Sequence, residues 1–295
     1  MVQGCCEITA TVEAGESADL EVVFTTEKKA PSGWELLREA NDRLETIEKA
    51  SKFRDPVARQ LELSADAFIA RRDSTGGKTI LAGYPLFSDW GRDTMIALPG
   101  CCLATSRFEE AKSILRTFLA YEKDGLVPNL FPEGDHAPMY NTVDAALILI
   151  DSVWQYVQAT GDWAFAWEAW EPMSRIIRHY RKGTHHGIGM DTDGLIFAGQ
   201  GLDQVTWMDV CVQGILPTPR HGKPVEINAY WYSALRIMDA VAEKLNLDRA
   251  DYAALADKAK ASFLRQFWLE EGYLKDVVSG TRADNQIRCN QIWAV

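Results

Sequence analysis

The hydrophobic period changes once along this chain, near residue 31, and does not change back. Before that point "EITATVEAGESADLEVVFTT" (residues 7–26) alternates. Ile8, Ala10 and Val12 stand on one side of the polar "EAGESAD", and Leu20, Val22 and Phe24 on the other. Period-2 alternation around a polar loop reads as two strands and a turn. After the linker "EKKAPSG" apolar residues recur every three to four positions to the end of the sequence. A chain patterned this way can bury its apolar surface only by packing helix on helix. The expectation is a mainly α body over residues 31–295, behind a β-hairpin in residues 1–30. A lone hairpin is marginal in water, so this one reads as the tail of a β domain.

The helical stripes differ in character. Residues 35–49 are thinly apolar and strongly charged, a surface helix. Residues 56–72 carry Val57, Leu61, Ala65, Phe68 and Ile69. Residues 92–104 are apolar nearly all round, as in a helix buried on every side. Further helices are expected at 107–121, 140–158, 163–182, 224–246 and 249–268, and "CNQIWAV" at the end reads as the start of one more. Nearly apolar helices mixed with charged ones suggest an inner and an outer layer, as in an α/α toroid. The loops after residues 121 and 183 are long and rich in Gly, Pro, Asp and aromatics. Long ordered loops in a compact domain usually build a site.

Composition excludes some functions. With 31 basic against 42 acidic residues the net charge is -11, the wrong sign for a nucleic-acid footprint. The six Cys include the doublets Cys5–Cys6 and Cys101–Cys102, with no C-x-x-C metal spacing. They read as reduced thiols of a cytoplasmic protein. No run approaches the ~20 apolar residues of a membrane span, and no signal peptide is evident. Ten Trp is rich for 295 residues. About half are expected in the core, and the rest could serve as flat platforms for sugar rings.

Four loop-to-helix junctions combine aromatics with carboxylates, amides or Arg, the side chains that grip vicinal hydroxyls. "DWGRD" holds Trp90, Arg92 and Asp93, two full charges in apolar company. They form either a buried structural ion pair or a grip on a polar ligand. "GLVPNLFPEGDHAPMYNTVDA" holds Asn129, Asn141, Thr142 and Asp144, with Asn141 as a candidate N-cap. "VTWMDV" holds Trp207 and Asp209. Desolvation beside Trp and Met would raise a carboxyl pKa, as a general acid needs, although spacing alone fits an ordinary loop or N-cap Asp. "PRHGKPVEINAYWYSAL" holds Arg220, His221, Lys223, Glu226, Asn228 and Trp231, with Glu226 and Asn228 either complementing a helix start or facing a cleft. "DTDG" at 191–194 lacks the rest of a calcium loop and reads as a turn. The adjacent His185 and His186 make no site by themselves.

Together "FSDWGRDTMIALPG", "VPNLFPEG…YNTVDAAL", "TWMD", "TPRHGKPVEINAYWYSAL" and "NQIWAV" occur in the order in which they resemble the C-terminal glucosidase domain of glycogen debranching enzymes, the amylo-α-1,6-glucosidase family. The resemblance covers roughly residues 30–295. The hairpin at 7–26 is similar to the end of the β-sandwich domain that precedes the catalytic domain in bacterial members. The resemblance implies a partial (α/α)6 toroid of the six-hairpin glycosidase type, with its site in loops at one end. It implies hydrolysis of α-1,6-linked glucose at branch points of glycogen or limit dextrin, with inversion and no metal or other cofactor. Arg92 and Asp93 then match the pair that grips the terminal glucose, and Asp209 the general acid. Trp90, Asn141, Asp144, Trp207, Glu226 and Asn228 fall on positions expected to line the pocket. Inversion also needs a basic carboxylate ~6.5–9.5 Å from the acid. The resemblance places that residue past the "NQIWA" helix, beyond residue 295, so this polypeptide is expected to lack debranching turnover. Two alternatives remain: an inverting α-glucosidase of the glucoamylase or trehalase kind, and a non-catalytic carbohydrate-binding helical protein. A helical scaffold for protein partners is a further alternative, but it leaves the aromatic–polar loops unexplained.

Overall fold

A computed structural model describes residues 9, 11–25, 28–84, 86–131 and 137–295. The chain divides into two compact units, one through Leu63 and one from Ser64 onward. The first contains helix α1 (Gly33–Ala50). Ser32 starts it, its Oγ accepting from the Glu35 N–H at 3.4 Å. None of its residues is buried, in keeping with its charged sequence.

The expected hairpin is not formed by the residues described. Residues 7, 8, 10 and 26 lie outside them, and residues 11–25 contain one turn and no strand. Leu20 is 61 %, Val22 50 % and Phe24 88 % exposed. Alternation directs side chains to one face, but a strand pair persists only where a second layer covers that face.

Helix α2 (Pro56–Asp66) opens on Asp55, whose Oδ1 accepts from the N–H groups of Val57 and Ala58, both at 2.9 Å. It stops six residues short of the sequence expectation. Ile69–Arg71 instead forms strand β1, antiparallel to β2 (Lys78–Ile80), with Ile69 opposite Ile80. Both isoleucines are buried, while Arg71 and Lys78 face solvent. Phe68 and Ile69 fit a helical or a strand period equally, and the pairing with Ile80 decides.

Helix α3 (Gly91–Leu98) runs into a π-helical turn at Pro99–Leu103. Pro99 has no N–H for an α-helical bond. The wider turn closes between the Ala104 N–H and the Pro99 carbonyl at 2.9 Å. Then come α4 (Phe108–Ala120), α5 (Ala145–Thr160) and α6 (Trp163–Lys182). Gly161, at φ 72°, ends α5, and Asp162 starts α6 by accepting from the Phe165 N–H at 3.0 Å. The small ladder of β3 (Gly189–Met190) and β4 (Ile196–Phe197) follows. After it come β5 (Lys223–Pro224), α7 (Val225–Leu245), α8 (Tyr252–Phe267), β6 (Val277–Ser279) and β7 (Arg282–Asp284). β5, β6 and β7 form one antiparallel sheet. The expected terminal helix is a 3-10 segment, Cys289–Ala294.

The second unit is built in two rows. α3 packs on α5, α5 on α7, and α7 on the closing 3-10 segment. α4 and α6 lie over α5, and α8 over α7. The row assignments follow from sequence. In α5 every residue from Ala145 to Ile150 is buried, so it needs neighbours on all sides. α6 has one apolar stripe and exposes its charges. Trp231 of α7 is fully buried, its ring stacked on Tyr180 of α6 at 6.1 Å, and its Nε1–H donates to the Gly194 carbonyl at 3.0 Å. It belongs to the core rather than to a loop surface.

Candidate active site

The N-terminal ends of α3, α5 and α7 and the start of the 3-10 segment meet at one end of the rows. Arg92, in the first turn of α3, does not pair chiefly with its neighbour Asp93. Its Nε donates to Asp144 Oδ2 at 2.5 Å and its Nη2 to Thr142 Oγ1 at 3.3 Å. Asp144 is 2 % exposed. Burial works against the Arg92 charge, but Asp144, then Asp93 and Asp209, hold its pKa above the ordinary value. Asp93 lies at the solvent edge. Desolvation on its inner side pushes its carboxyl above the usual carboxylate range, with Arg92 opposing.

Gly91 explains how α3 reaches this place. Its N–H donates to the Asn129 carbonyl at 2.8 Å, and an added Cβ would lie 2.0 Å from the Pro128 carbonyl oxygen. The 126–131 segment is thereby held against the start of α3, with Trp90, partly buried, paired to Leu130. Asn129 itself is buried, and its Oδ1 accepts from no group among the described residues.

Helix α5 begins later than its periodicity suggests, at Ala145 with Asp144 at the cap position. Asn141 is not the cap. Its Nδ2 donates to the Gln204 carbonyl at 3.3 Å, and its buried Oδ1 has no partner among the described residues. The Val143 N–H is taken by the Val205 carbonyl at 2.9 Å, which draws residues 141–143 out of the helix. The Tyr180 hydroxyl donates to the Val143 carbonyl at 2.7 Å, and this braces the loop from α6.

These bonds bring the 203–209 loop onto the α5 end, and with it Asp209. Asp209 is 6 % exposed. Its Oδ2 accepts from the backbone N–H groups of Val205 at 3.2 Å and Thr206 at 2.9 Å. Its Oδ1 is buried and accepts from no group among the described residues. Asp209 is therefore neither a helix cap nor a free loop acid. One oxygen is anchored, and the other is buried and unpaired among the described residues. Trp207, two residues earlier, keeps about half its surface open while its Nε1–H donates to Asn290 Oδ1 at 2.8 Å.

Glu226 and Asn228 are used inside the protein. Glu226 is 2 % exposed and forms a two-pronged pair with Arg220, Nη2 to Oε2 at 2.6 Å and Nη1 to Oε1. Arg220 grips Asp276 as well, Nε and Nη2 each donating at 3.0 Å. Burial works against the Arg220 charge, but Glu226 and Asp276 raise its pKa above the ordinary value. Asn228 Oδ1 accepts from the Ile196 N–H at 2.7 Å, and its Nδ2 donates to the Ile196 and Pro224 carbonyls. Both side chains fix the start of α7; Glu226 is turned to Arg220, while Asn228 also lines a cavity with Tyr232, Phe263 and Trp293.

Sequence reading missed Asp276 and Asn290. Asp276 lies 56 residues past Arg220 in a stretch with no motif, and Asn290 carried no role of its own within "NQIWAV".

Among the described residues no group of three or more His, Cys, Asp or Glu could hold a metal ion. In "DTDG" the Lys223 ammonium donates to both Asp191 and Asp193 at 2.7 Å, so a side-chain cation already occupies that turn. No described helix is long and apolar enough to cross a membrane.

A family model described as amylo-alpha-1,6-glucosidase matches residues 63–295. The glycogen debranching enzyme of Saccharomyces cerevisiae is 29 % identical over 244 residues, covering 60 % of this chain and 16 % of that protein. The chain thus spans about a sixth of the yeast relative. Two solved structures resemble it in fold. One is a metal-independent α-mannosidase of Streptococcus pneumoniae in a non-productive complex with α-1,6-mannobiose. It has a TM-score of 0.55 and 15 % identity, over 85 % of this chain and 68 % of that one. The other is a rhamnosidase of Klebsiella oxytoca with rhamnose bound, with a TM-score of 0.52 and 18 % identity, over 83 % of this chain and 45 % of that one.

Proposed function

The chain belongs to the amylo-alpha-1,6-glucosidase family, and from that premise we propose that it serves a glycoside hydrolase that releases terminal glucose from α-1,6 branch points of glycogen-type glucans with inversion. Asp209 is the general acid. The observation that carries this is its carboxyl geometry. Two backbone N–H groups hold Oδ2, and Oδ1 is buried without a partner among the described residues. An unpartnered buried oxygen is costly, and a proton on Oδ1 directed at a glycosidic oxygen removes that cost. Protonating the leaving oxygen is the step an inverting glycosidase asks of its acid.

Arg92 and Asp93 grip vicinal hydroxyls of the terminal glucose. Asp144 keeps Arg92 charged and fixes its plane. Asn141 offers its Oδ1 as an acceptor, and Trp90 and Trp207 supply ring faces. Glycogen or a limit dextrin is the substrate class.

The test pairs binding with stereochemistry. Calorimetric titration with a maltooligosaccharide bearing one α-1,6 glucose is expected to show binding, weakened about tenfold by Asp93→Asn, as for a lost charged hydrogen bond. Failure of the folded protein to bind any α-glucan overturns the reading, as does binding indifferent to Asp93→Asn. Wherever glucose is released, 1H NMR is expected to record the β-anomer first, and Asp209→Asn to abolish release. First appearance of the α-anomer refutes inversion.

A further inference from the structure

Trp207 has an unusual combination of properties for a surface aromatic. About half of its ring is open to solvent, yet its one polar atom is tied. The acceptor, Asn290 Oδ1, belongs to a side chain that is itself 1 % exposed. Asn290 Nδ2 donates in turn to Asp276 Oδ1 at 2.7 Å and lies 3.4 Å from Met208 Sδ. Asp276 is held by Arg220 on one side, and by Arg288 Nη1 at 3.1 Å on the other. Arg220 is fixed by Glu226 at the start of α7. The result is an unbroken series of hydrogen bonds from the first turn of α7, through two buried carboxylates and a guanidinium, to the indole N–H. Its last member contacts both residues that immediately precede Asp209.

An amide suits this position, since one end must accept and the other must donate. The oxygen serves an indole that can only donate, and the nitrogen serves a carboxylate that only accepts. Ala would leave the indole N–H without its acceptor and remove one of the donors to Asp276, which keeps Arg220 and Arg288. A free indole on a loop would sample several rotamers, and ordering it on ligand binding costs free energy. A tethered one has already lost that freedom.

We propose that Asn290 is a positioning residue that sets the Trp207 ring as a fixed platform for the sugar beside Asp209. It does so by accepting the indole N–H while being oriented by Asp276. This rests on the sugar-site reading of Trp207 and Asp209 given above. Asn290 itself touches no substrate.

Two measurements test it. In the wild-type chain the Trp207 Nε1–H resonance is assigned by its disappearance in Trp207→Phe, and its exchange with solvent is followed by 1H–15N NMR. It is expected to be protected although the ring is half open. In the second, affinity for the same branched maltooligosaccharide is measured for wild type, Asn290→Ala, Trp207→Phe and the double variant. Asn290→Ala is expected to weaken binding about fivefold, the size of one net hydrogen bond. In the Trp207→Phe background, where no indole N–H exists, the same change should have less than about a twofold effect. A merely structural role would give equal losses in both backgrounds and would overturn the proposal. An Nε1–H that exchanges like a free indole overturns the tether even where glucan binding is intact. If the Nε1–H is protected but the wild-type chain binds no glucan, the sugar reading fails and the platform role with it. The exchange measurement uses the unmutated chain, so it stands whether or not Asn290→Ala folds.

Discussion

Replacing Arg220 by Met isolates the energetics on which the site stands. Arg220 is 1 % exposed and serves two carboxylates, Glu226 and Asp276, each through two hydrogen bonds. Met preserves much of the volume and removes the charge. Asp276 keeps Arg288 at 3.1 Å and Asn290 at 2.7 Å. Glu226 keeps no side-chain partner among the described residues and stays 2 % exposed. The variant therefore carries one bare buried carboxylate, and removing one partner of a buried pair costs about 3–5 kcal/mol. The cost must depend on pH. Burial already holds the Glu226 carboxyl above its ordinary value of 4.5 with Arg220 opposing, and loss of Arg220 removes that opposition and raises it further. Between the ordinary value and the raised one the folded variant binds more protons than the unfolded chain, so its stability falls as pH rises, by ~1.4 kcal/mol per pH unit. Urea unfolding followed by far-UV circular dichroism at pH 5 and pH 8 measures this. The destabilisation is expected to be smaller at pH 5 than at pH 8, and Arg220→Met with Glu226→Gln should recover most of the loss at pH 8. A cost below ~1 kcal/mol at pH 8, or equal costs at both pH values, would refute the claim that Arg220 neutralises a buried Glu226.

Two other perturbations probe how the site is assembled. Gly91→Ala places a methyl 2.0 Å from the Pro128 carbonyl, a backbone atom that cannot rotate away. The variant is expected to lose ~2 kcal/mol or more, with backbone NMR shifts changing across 90–93 and 126–131; unchanged shifts there would contradict the close approach. Asp162→Ala removes the α6 cap, the pair with Lys112 Nζ at 2.6 Å and the bond from the Tyr156 hydroxyl at 3.1 Å, for about 1–2 kcal/mol. The hydrogen bond from Lys112, opposed by burial, holds the Asp162 carboxyl below its ordinary value of 3.8. Its contribution is thus full above pH 3.8 and lost as pH falls through the lower folded value. The gap between wild type and variant in thermal unfolding should be constant from pH 5 to 7 and shrink below pH 3.8. A gap that widens on acidification would contradict the assignment.

Much of the helical body was legible because helical periodicity is a local property. α1, α4, α6, α7 and α8 begin and end within about three residues of where their stripes and caps place them. The residues of "DWGRD" and "TWMD" were likewise singled out by chemistry alone, as charge or carboxyl beside bulky apolar neighbours. Pairing between distant segments was not legible. Phe68 and Ile69 suited a helix until Ile80 was found opposite Ile69. Residues 141–143 looked like a helix start until Val205 and Gln204 took their polar groups. Arg92 looked like the partner of Asp93, but a carboxylate 52 residues away is the one its Nε binds. Glu226 and Asn228 gave no sign of the Arg220, Ile196 and Pro224 groups they bind, since a sequence shows which groups can bond and not which bonds are already made. Periodicity and caps were thus settled by the sequence itself, because they depend on residues a few positions apart. The partner of each buried charge, and which oxygen of Asp209 is left unpaired, were decided by tertiary structure, because desolvation drives buried polar groups toward whatever donor or acceptor the packed helices bring near.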